Sequence, residues 1–186
     1  MLQKKKKRPL AVLVTLSLLV AISIVCGKYL AIRGGDVLRF SFENLPILLA
    51  GILFGPLAGA AVGTVADLVG CILVGYAINP IVTVGAALIG LLAGLVWKLF
   101  VRIETLSANV RLVMAVSVSH FVGSVLVKTV GLAAFYSFPI EVLFLWRLLN
   151  YAIIGALESI ILCVLFHNRL FHRTVVSVFG AREDFK

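Results

Sequence analysis

The chain has 186 residues, of which 62% are hydrophobic, and its formal net charge is +9. A soluble domain usually contains about 45–50% apolar residues, so this chain has too few polar residues to cover a globule in water. Its apolar segments are continuous rather than alternating, which argues against an outer-membrane β-barrel. The composition therefore predicts an all-α integral membrane protein with several helices that span the lipid bilayer.

The chain begins with a basic segment, residues 1–8, and a first helix is predicted over residues 9–32. Basic residues before an apolar run are also typical of a signal peptide. The apolar stretch here is about 24 residues, longer than the central region of a signal peptide, and no cleavage pattern follows it. The segment is therefore predicted to be a retained first span.

A long apolar run follows at residues 44–74 and is predicted to contain two helices. One helix of this length would be too long for the hydrocarbon core of a bilayer, and the pair Gly55-Pro56 interrupts it. The first of the two helices is expected to be short, to begin between Phe40 and Glu43, and to end at Phe54. The second is expected over residues 56–74.

The remainder of the chain is predicted to hold three more helices, over residues 80–101, 110–135 and 141–166. A polar, basic tail covers residues 167–186. The six helices are expected to form a single membrane domain that comprises residues 1–186.

The distribution of basic residues predicts the orientation. With six spans, twelve of the seventeen lysines and arginines fall on the side of the two termini. The positive-inside rule then places both termini in the cytoplasm, as expected for a multi-pass protein of a prokaryotic plasma membrane. The same rule explains the basic excess without a nucleic-acid partner. The five cations that break the bias all map to the outer half: Lys28, Arg33, Arg39, Lys128 and Arg147.

Charged groups near or within membrane spans are costly, so they usually face water, a buried partner or a ligand. The outer cations lie on the same side as several carboxylates, which predicts a ligand site there. Alternatives remain for individual residues, because Lys28 is also typical of an interface anchor and Lys128 could extend to the interface. Asp67 could pair with either lysine. The candidate ligand-binding residues are Lys28, Arg39, Phe42, Glu43, Asn44, Asp67, Lys128, Trp146, Arg147 and Asn150.

The last predicted helix carries a line of polar residues. Arg147, Asn150 and Glu158 share one face with Ile154, because they are spaced three, four and four residues apart. Such a face is expected to point into the bundle, either to line a ligand cavity or to form a structural Arg–Glu network. His120 is predicted to be a hydrogen-bonded interior histidine.

Small residues are dense in the first half of the chain. Gly51, Gly55, Gly59 and Gly63 recur every four residues, a pattern that permits close approach between helices. The spacing leaves open whether this face packs internally or docks another membrane protein. No phosphate-binding loop, zinc-protease motif or catalytic triad is present, and the three cysteines are isolated. The sequence therefore predicts no enzyme activity, metal site or cofactor.

Three segments and one later motif carry a resemblance to a known family. They are residues 39–47 (RFSFENLPI), 53–59 (LFGPLAG), 62–67 (VGTVAD) and 146–150 (WRLLN). Together they resemble the substrate-binding S components of energy-coupling factor (ECF) vitamin importers, and within them the folate group. The resemblance implies a six-helix membrane protein that captures a vitamin from outside. It also implies partners, namely a transmembrane coupling protein and two cytoplasmic ATPases.

The resemblance implies roles for particular residues as well. The first helix of the family carries a small-residue docking face, which corresponds here to Ala11, Thr15, Ser17 and Ala21. Bulky Leu18 and Leu19 lie between them, and Lys28 stands where the family often has arginine. The alternatives are an S component for another vitamin, such as pantothenate or thiamine, a stand-alone carrier or channel, or an accessory membrane protein without a ligand.

Folate itself fits the candidate residues. A pterin ring presents neighbouring N–H donors. The carboxylates of Glu43 and Asp67, or the amide oxygen of Asn44, can accept hydrogen bonds from them. The aminobenzoyl ring would pack on an aromatic side chain, and the two glutamate carboxylates would bind cations. Phe40, Phe42 and Trp146 are the candidate aromatic residues, and Lys28, Arg39, Lys128 and Arg147 are the candidate cations.

Overall fold

The computed structural model describes residues 9–34, 38–103, 105–136, 139–171, 173 and 175. The predicted basic segment 1–8 and most of the predicted tail lie outside these residues, as does the side chain of Arg39. The elements in chain order are α1 (Pro9–Ile24), a π-helical turn (Val25–Tyr29), β1 (Ile32–Gly34), β2 (Leu38–Phe40), α2 (Asn44–Phe54), α3 (Pro56–Val74), α4 (Pro80–Phe100), α5 (Ala108–Ser119), a π-helix (His120–Val127), α6 (Lys128–Tyr136) and α7 (Ile140–His167).

The predicted membrane fold is confirmed. Five helical segments of the described chain are long and apolar enough to cross a membrane, and α5, the π-helix and α6 together form one of them. The sixth predicted segment, α2, has 11 residues and is only about 16 Å long. It forms a hairpin with α3, because the backbone reverses at Gly55, where φ is 101°.

The predicted end of the first helix was wrong. The helix ends at Tyr29, and Ile32 begins a short antiparallel hairpin in which it pairs with Phe40. The apolar pattern extends beyond the helix because strand β1 begins with an apolar residue, and hydropathy does not distinguish the two structures. The predicted start of the second helix was early for the same reason, since Phe40 belongs to β2 and the helix begins at Asn44.

Glycines allow α2, α3 and α4 to pack in close contact. A Cβ atom at Gly90 would overlap the carbonyl of Gly59, and one at Gly51 would overlap the carbonyl of Gly90. A Cβ at Gly63 would likewise overlap the carbonyl of Ala86. Three of the four regularly spaced glycines therefore pack internally, which answers the alternative that the sequence left open.

An apolar core fills the half of the bundle that the charge pattern places toward the cytoplasm. Leu48, Ile89, Leu112 and Leu162 are fully buried in it, and they come from four different helices. At the cytoplasmic end, Trp97 stacks on Phe166, with ring centroids 6.2 Å apart. This core closes the bundle beneath the polar residues described next.

Candidate ligand-binding site

Four charged side chains from different parts of the bundle converge on one small cavity. Lys28 comes from the π-helical turn after α1, Glu43 from the residue before α2, Asp67 from α3, and Lys128 from the start of α6. The cavity volume is about 20 Å³, which is room for about one water molecule. The other lining residues are Ser23, Ile24, Ile47, Gly63, Ala66 and Ala86.

Glu43 and Lys128 form an ion pair across the cavity, with Lys128 Nζ 3.3 Å from Glu43 Oε1. Lys128 is 5% exposed, so its ammonium group faces the bundle rather than the interface, in contrast to the alternative considered from sequence. The backbone carbonyl of Glu43 also accepts a hydrogen bond of 2.7 Å from Ser23 Oγ. The opposite charges compensate part of the cost of removing each group from water.

Asp67 and Lys28 occupy the same cavity but are not bonded to each other. Thr83 Oγ1 donates a hydrogen bond of 2.7 Å to Asp67 Oδ2. Lys28 Nζ lies 3.6 Å from Cys71 Sγ and 5.6 Å from the centroid of the Tyr76 ring. Within the described part of the chain, no ion pair joins Asp67 to Lys28 or Lys128. The carboxylate of Asp67 and the ammonium of Lys28 therefore each retain bonding capacity for a further group.

Asn44 directly follows Glu43 in the sequence, and it is fully buried. Neither its side-chain nitrogen nor its side-chain oxygen has a hydrogen-bond partner among the described residues. Buried polar groups in proteins are nearly always satisfied, by the protein, by ordered water or by a ligand. The amide is thus a further group that is available to a polar molecule inside the bundle.

The polar face of α7 points into the bundle as predicted, since Asn150, Ile154 and Glu158 are all buried. Among the described residues, Arg147 forms no ion pair with a glutamate, so the predicted alternative of an Arg–Glu network is not seen there. Instead, Nε and Nη2 of Arg147 donate hydrogen bonds of 3.0 and 2.8 Å to the backbone carbonyl of Ser124. The guanidinium carbon of Arg147 lies 5.1 Å from the centroid of the Tyr151 ring.

Glu158 pairs with His120, and the predicted interior histidine is confirmed. His120 Nε2 lies 2.5 Å from Glu158 Oε2, and His120 Nδ1 lies 3.3 Å from Ser124 Oγ. Both residues are buried. His120 begins the π-helix that interrupts the fifth span. The pair therefore ties this irregular segment to the middle of α7.

We expect Glu158→Ala to lower the free energy of unfolding by about 3–5 kcal/mol, because it removes one partner of a buried polar pair. The measurement is thermal unfolding of the purified protein in detergent. The double variant His120→Phe/Glu158→Met, which replaces both partners by apolar groups, is expected to recover most of the loss. An equally unstable double variant would show that the pair is not the source of the effect.

Five of the remaining candidates do not line the cavity: Phe42, Asn44, Trp146, Arg147 and Asn150. The side chains of Phe42 and Trp146 are 39% and 44% exposed, and neither contributes to the lining. Arg147 contacts the π-helix instead. The structure thus brings together four of the ten predicted ligand-binding residues, Lys28, Glu43, Asp67 and Lys128.

Four further residues contact the charged groups and were not predicted from the sequence: Ser23, Cys71, Tyr76 and Thr83. Cys71 could have been found, because it lies one helical turn after Asp67 on the same face of α3. Ser23 and Thr83 contact Glu43 and Asp67 from other helices. No spacing in the sequence indicates contacts of that kind.

A larger cavity lies elsewhere and has a different character. It is a groove of about 750 Å³ between α7 and the segment formed by α5 and the π-helix. Its lining is mostly apolar, and two of its residues, Phe121 and Ile160, are 48% and 60% exposed. The groove therefore faces the lipid, whereas the charged groups converge on the smaller cavity.

The sequence of this chain is similar to a family of known proteins. Residues 11–168 match the family model described as "ECF transporter, substrate-specific component". The folate transporter FolT of Clostridium novyi (strain NT) is 24% identical over 152 residues, which cover 81% of this chain and 85% of the relative.

Solved structures share the fold. The crystal structure of FolT bound with folic acid superposes with a TM-score of 0.67 at 23% identity, over 86% of this chain and 95% of that one. The S component for biotin of an ECF-type ABC transporter gives a TM-score of 0.64 at 16% identity, over 90% and 95% of the two chains. The S component of a bacterial ECF transporter gives 0.65 at 24% identity, over 89% and 98%.

Proposed function

Because the chain belongs to the family of substrate-specific components of ECF transporters, we propose that its substrate is folate. Members of this family are multi-pass plasma-membrane proteins that bind a transported substrate and are not enzymes, and this chain is one of them. The observation that carries the proposal is the convergence of Lys28, Glu43, Asp67 and Lys128 on one cavity. The relation to FolT of Clostridium novyi supports the same substrate.

The chemistry of the cavity matches both ends of folate. The carboxylates of Glu43 and Asp67 can accept hydrogen bonds from the N–H groups of a pterin. The ammonium groups of Lys28 and Lys128 can bind carboxylates, in charge-assisted contacts that are stronger than neutral hydrogen bonds. A molecule that carries N–H donors at one end and carboxylates at the other complements both sets of groups.

The size of the cavity implies that binding rearranges it. Sites for ligands of this size usually enclose about 300–1,000 Å³, whereas this cavity encloses about 20 Å³. Folate can therefore enter only if side chains and neighbouring segments move apart. The ion pair between Glu43 and Lys128 crosses the cavity, so it is the contact that the ligand has to separate.

The proposed partners are a membrane coupling protein and two cytoplasmic ATPases. The docking face is proposed to be the side of α1 that carries Ala11, Thr15, Ser17 and Ala21. Ser17 and Ala21 are exposed, and the other two are half-buried. The hydroxyl groups of Thr15 and Ser17 donate hydrogen bonds to carbonyls of their own helix. A helix that docks on this face would therefore contact small side chains whose hydroxyl protons are already bonded.

Titration of the purified protein with folic acid tests the proposed substrate. We expect one-to-one binding that is detected by calorimetry and by tryptophan fluorescence. Pteroic acid, which lacks the glutamate, and p-aminobenzoylglutamate, which lacks the pterin, are each expected to bind at least about tenfold more weakly, because each loses one set of charge-assisted contacts. Pantothenate, thiamine and biotin serve as controls. Binding of one of these, with no binding of folates, would contradict the proposal.

A further inference from the structure

Three glycines lie directly against the charged side chains of the cavity. A Cβ atom at Gly27 would lie 2.6 Å from Glu43 Oε2, and one at Gly85 would lie 2.6 Å from Lys128 Cγ. A Cβ at Gly70 would lie 2.8 Å from Lys28 Cε. Side-chain atoms do not approach a Cβ atom so closely, so each charged side chain lies in space that only glycine leaves open.

Backbone dihedral angles do not require glycine at these positions. Gly27 lies in the π-helical turn after α1, and Gly70 and Gly85 lie within α3 and α4. Among the described residues, positive φ angles are found at Gly55 and Gly75 instead. Glycine inside a helix destabilises it relative to alanine, so what glycine contributes at these three positions is space.

We propose that Gly27, Gly70 and Gly85 are positioning residues of the ligand site, each of which holds open the space for one charged side chain. The inference rests on the proposed function, because it assumes that these charged groups bind the ligand. Three different helical segments supply the three glycines, and three of the four charged residues that line the cavity depend on them. The placement of the charges is thus determined partly by residues that never contact the ligand.

Gly70 gives the sharpest test, because a methyl group there meets only the end of one flexible side chain. After Lys28 Cε, its nearest neighbours are at 3.5 and 3.7 Å, which is ordinary contact. A Cβ at Gly27 would also meet Glu43 Cβ at 2.8 Å, and one at Gly85 would meet the carbonyl of Gly123 at 2.9 Å. Alanine at either of these positions would therefore also shift helices.

The experiment is a double-mutant cycle on folate affinity with Gly70→Ala, Lys28→Ala and the combined variant. We expect Gly70→Ala to weaken binding by about ten- to a hundredfold, the range for loss of one charge-assisted contact. Gly70→Ala is expected to have no further effect in the Lys28→Ala protein, because the nearest remaining neighbour of the added methyl group is Ile24 Cγ1 at 3.7 Å, an ordinary contact. Gly155→Ala is the matched control, since its Cβ would lie 3.4 Å from the nearest atom, Cδ2 of His120.

A second measurement does not depend on folate. The ammonium of Lys28 lies beside Cys71, and a nearby cation favours the reactive thiolate. In a Cys26→Ser/Cys163→Ser background, we expect Gly70→Ala to slow the reaction of Cys71 with methyl methanethiosulfonate severalfold, and to have no effect when Lys28 is already alanine. The reaction is followed by mass spectrometry.

The outcomes separate the two hypotheses. If the wild-type protein binds no folate, the proposed substrate is wrong, and the reactivity of Cys71 still tests whether Gly70 positions Lys28. If Gly70→Ala changes neither affinity nor reactivity, the positioning role is wrong. If its effect persists in the Lys28→Ala protein, Gly70 acts through the packing of α1 on α3, and the inference is overturned as well.

Discussion

Glu43→Ala is expected to abolish tight folate binding, with a loss of at least about a hundredfold, or about 2.7 kcal/mol. The carboxylate is proposed to bind the ligand, and its removal also leaves Lys128, which is 5% exposed, without its ion-pair partner. Removing one partner of a buried ion pair usually costs about 3–5 kcal/mol of stability. The variant is therefore expected to be both less stable and unable to bind, as measured by thermal unfolding and calorimetry in detergent.

The stability and binding effects can be separated by a paired substitution. Glu43→Gln/Lys128→Met removes both charges while it approximately keeps the volume of the two side chains. Such replacements of buried ion pairs are often neutral for stability, so this protein is expected to unfold near the wild-type temperature and still to bind no folate. Wild-type affinity in either variant would show that the ligand lies elsewhere.

Gly90→Ala is expected to impair folding by forcing two packed helix backbones apart. Its Cβ would overlap the carbonyl group of Gly59, and backbone atoms of two packed helices cannot both keep their positions. Overpacking of a well-packed core costs about 1–3 kcal/mol, occasionally more, and we expect the upper end of this range. The measurement is the unfolding temperature together with the yield of monodisperse protein after size-exclusion chromatography.

The matched control for this prediction is again Gly155→Ala, which places the same methyl group in a spanning helix without a close contact. Its unfolding temperature is expected to stay near that of the wild-type protein. If Gly90→Ala were equally harmless, α3 and α4 would have to separate at little cost, and the close packing described above would not be a source of stability.

Much of the fold was predictable because it depends on hydropathy and on strong helix breakers. The bounds of α3 follow directly from Pro56 and Gly75, and the start of α4 follows from Pro80. The hairpin of β1 and β2 was missed because each strand has only three residues, and Ile32 continues the apolar pattern of the first helix. The π-helix was missed because it changes the hydrogen bonding of the backbone without changing the apolar composition.

The candidate site was predictable only in part, and for a physical reason. Lys28, Glu43, Asp67 and Lys128 stand out because charges are costly near a membrane interior. Their neighbours were not predictable, since Thr83 and Ser23, like Gly27, Gly70 and Gly85, contact them from other segments of the chain. Trp146 was selected by its position in a motif, but it lies about a quarter of a helical turn away from the line of buried residues on α7 and is 44% exposed.

The position of the charged cavity also has a consequence for the permeability of the membrane. The cluster lies toward the side that the charge pattern predicts to be external, and beneath it Leu48, Ile89, Leu112 and Leu162 are each at most 1% exposed. Because apolar side chains pack tightly there, we expect ions and water to find no continuous polar path along the helices. A cell can therefore keep a charged receptor of this kind in its membrane without dissipating the membrane potential.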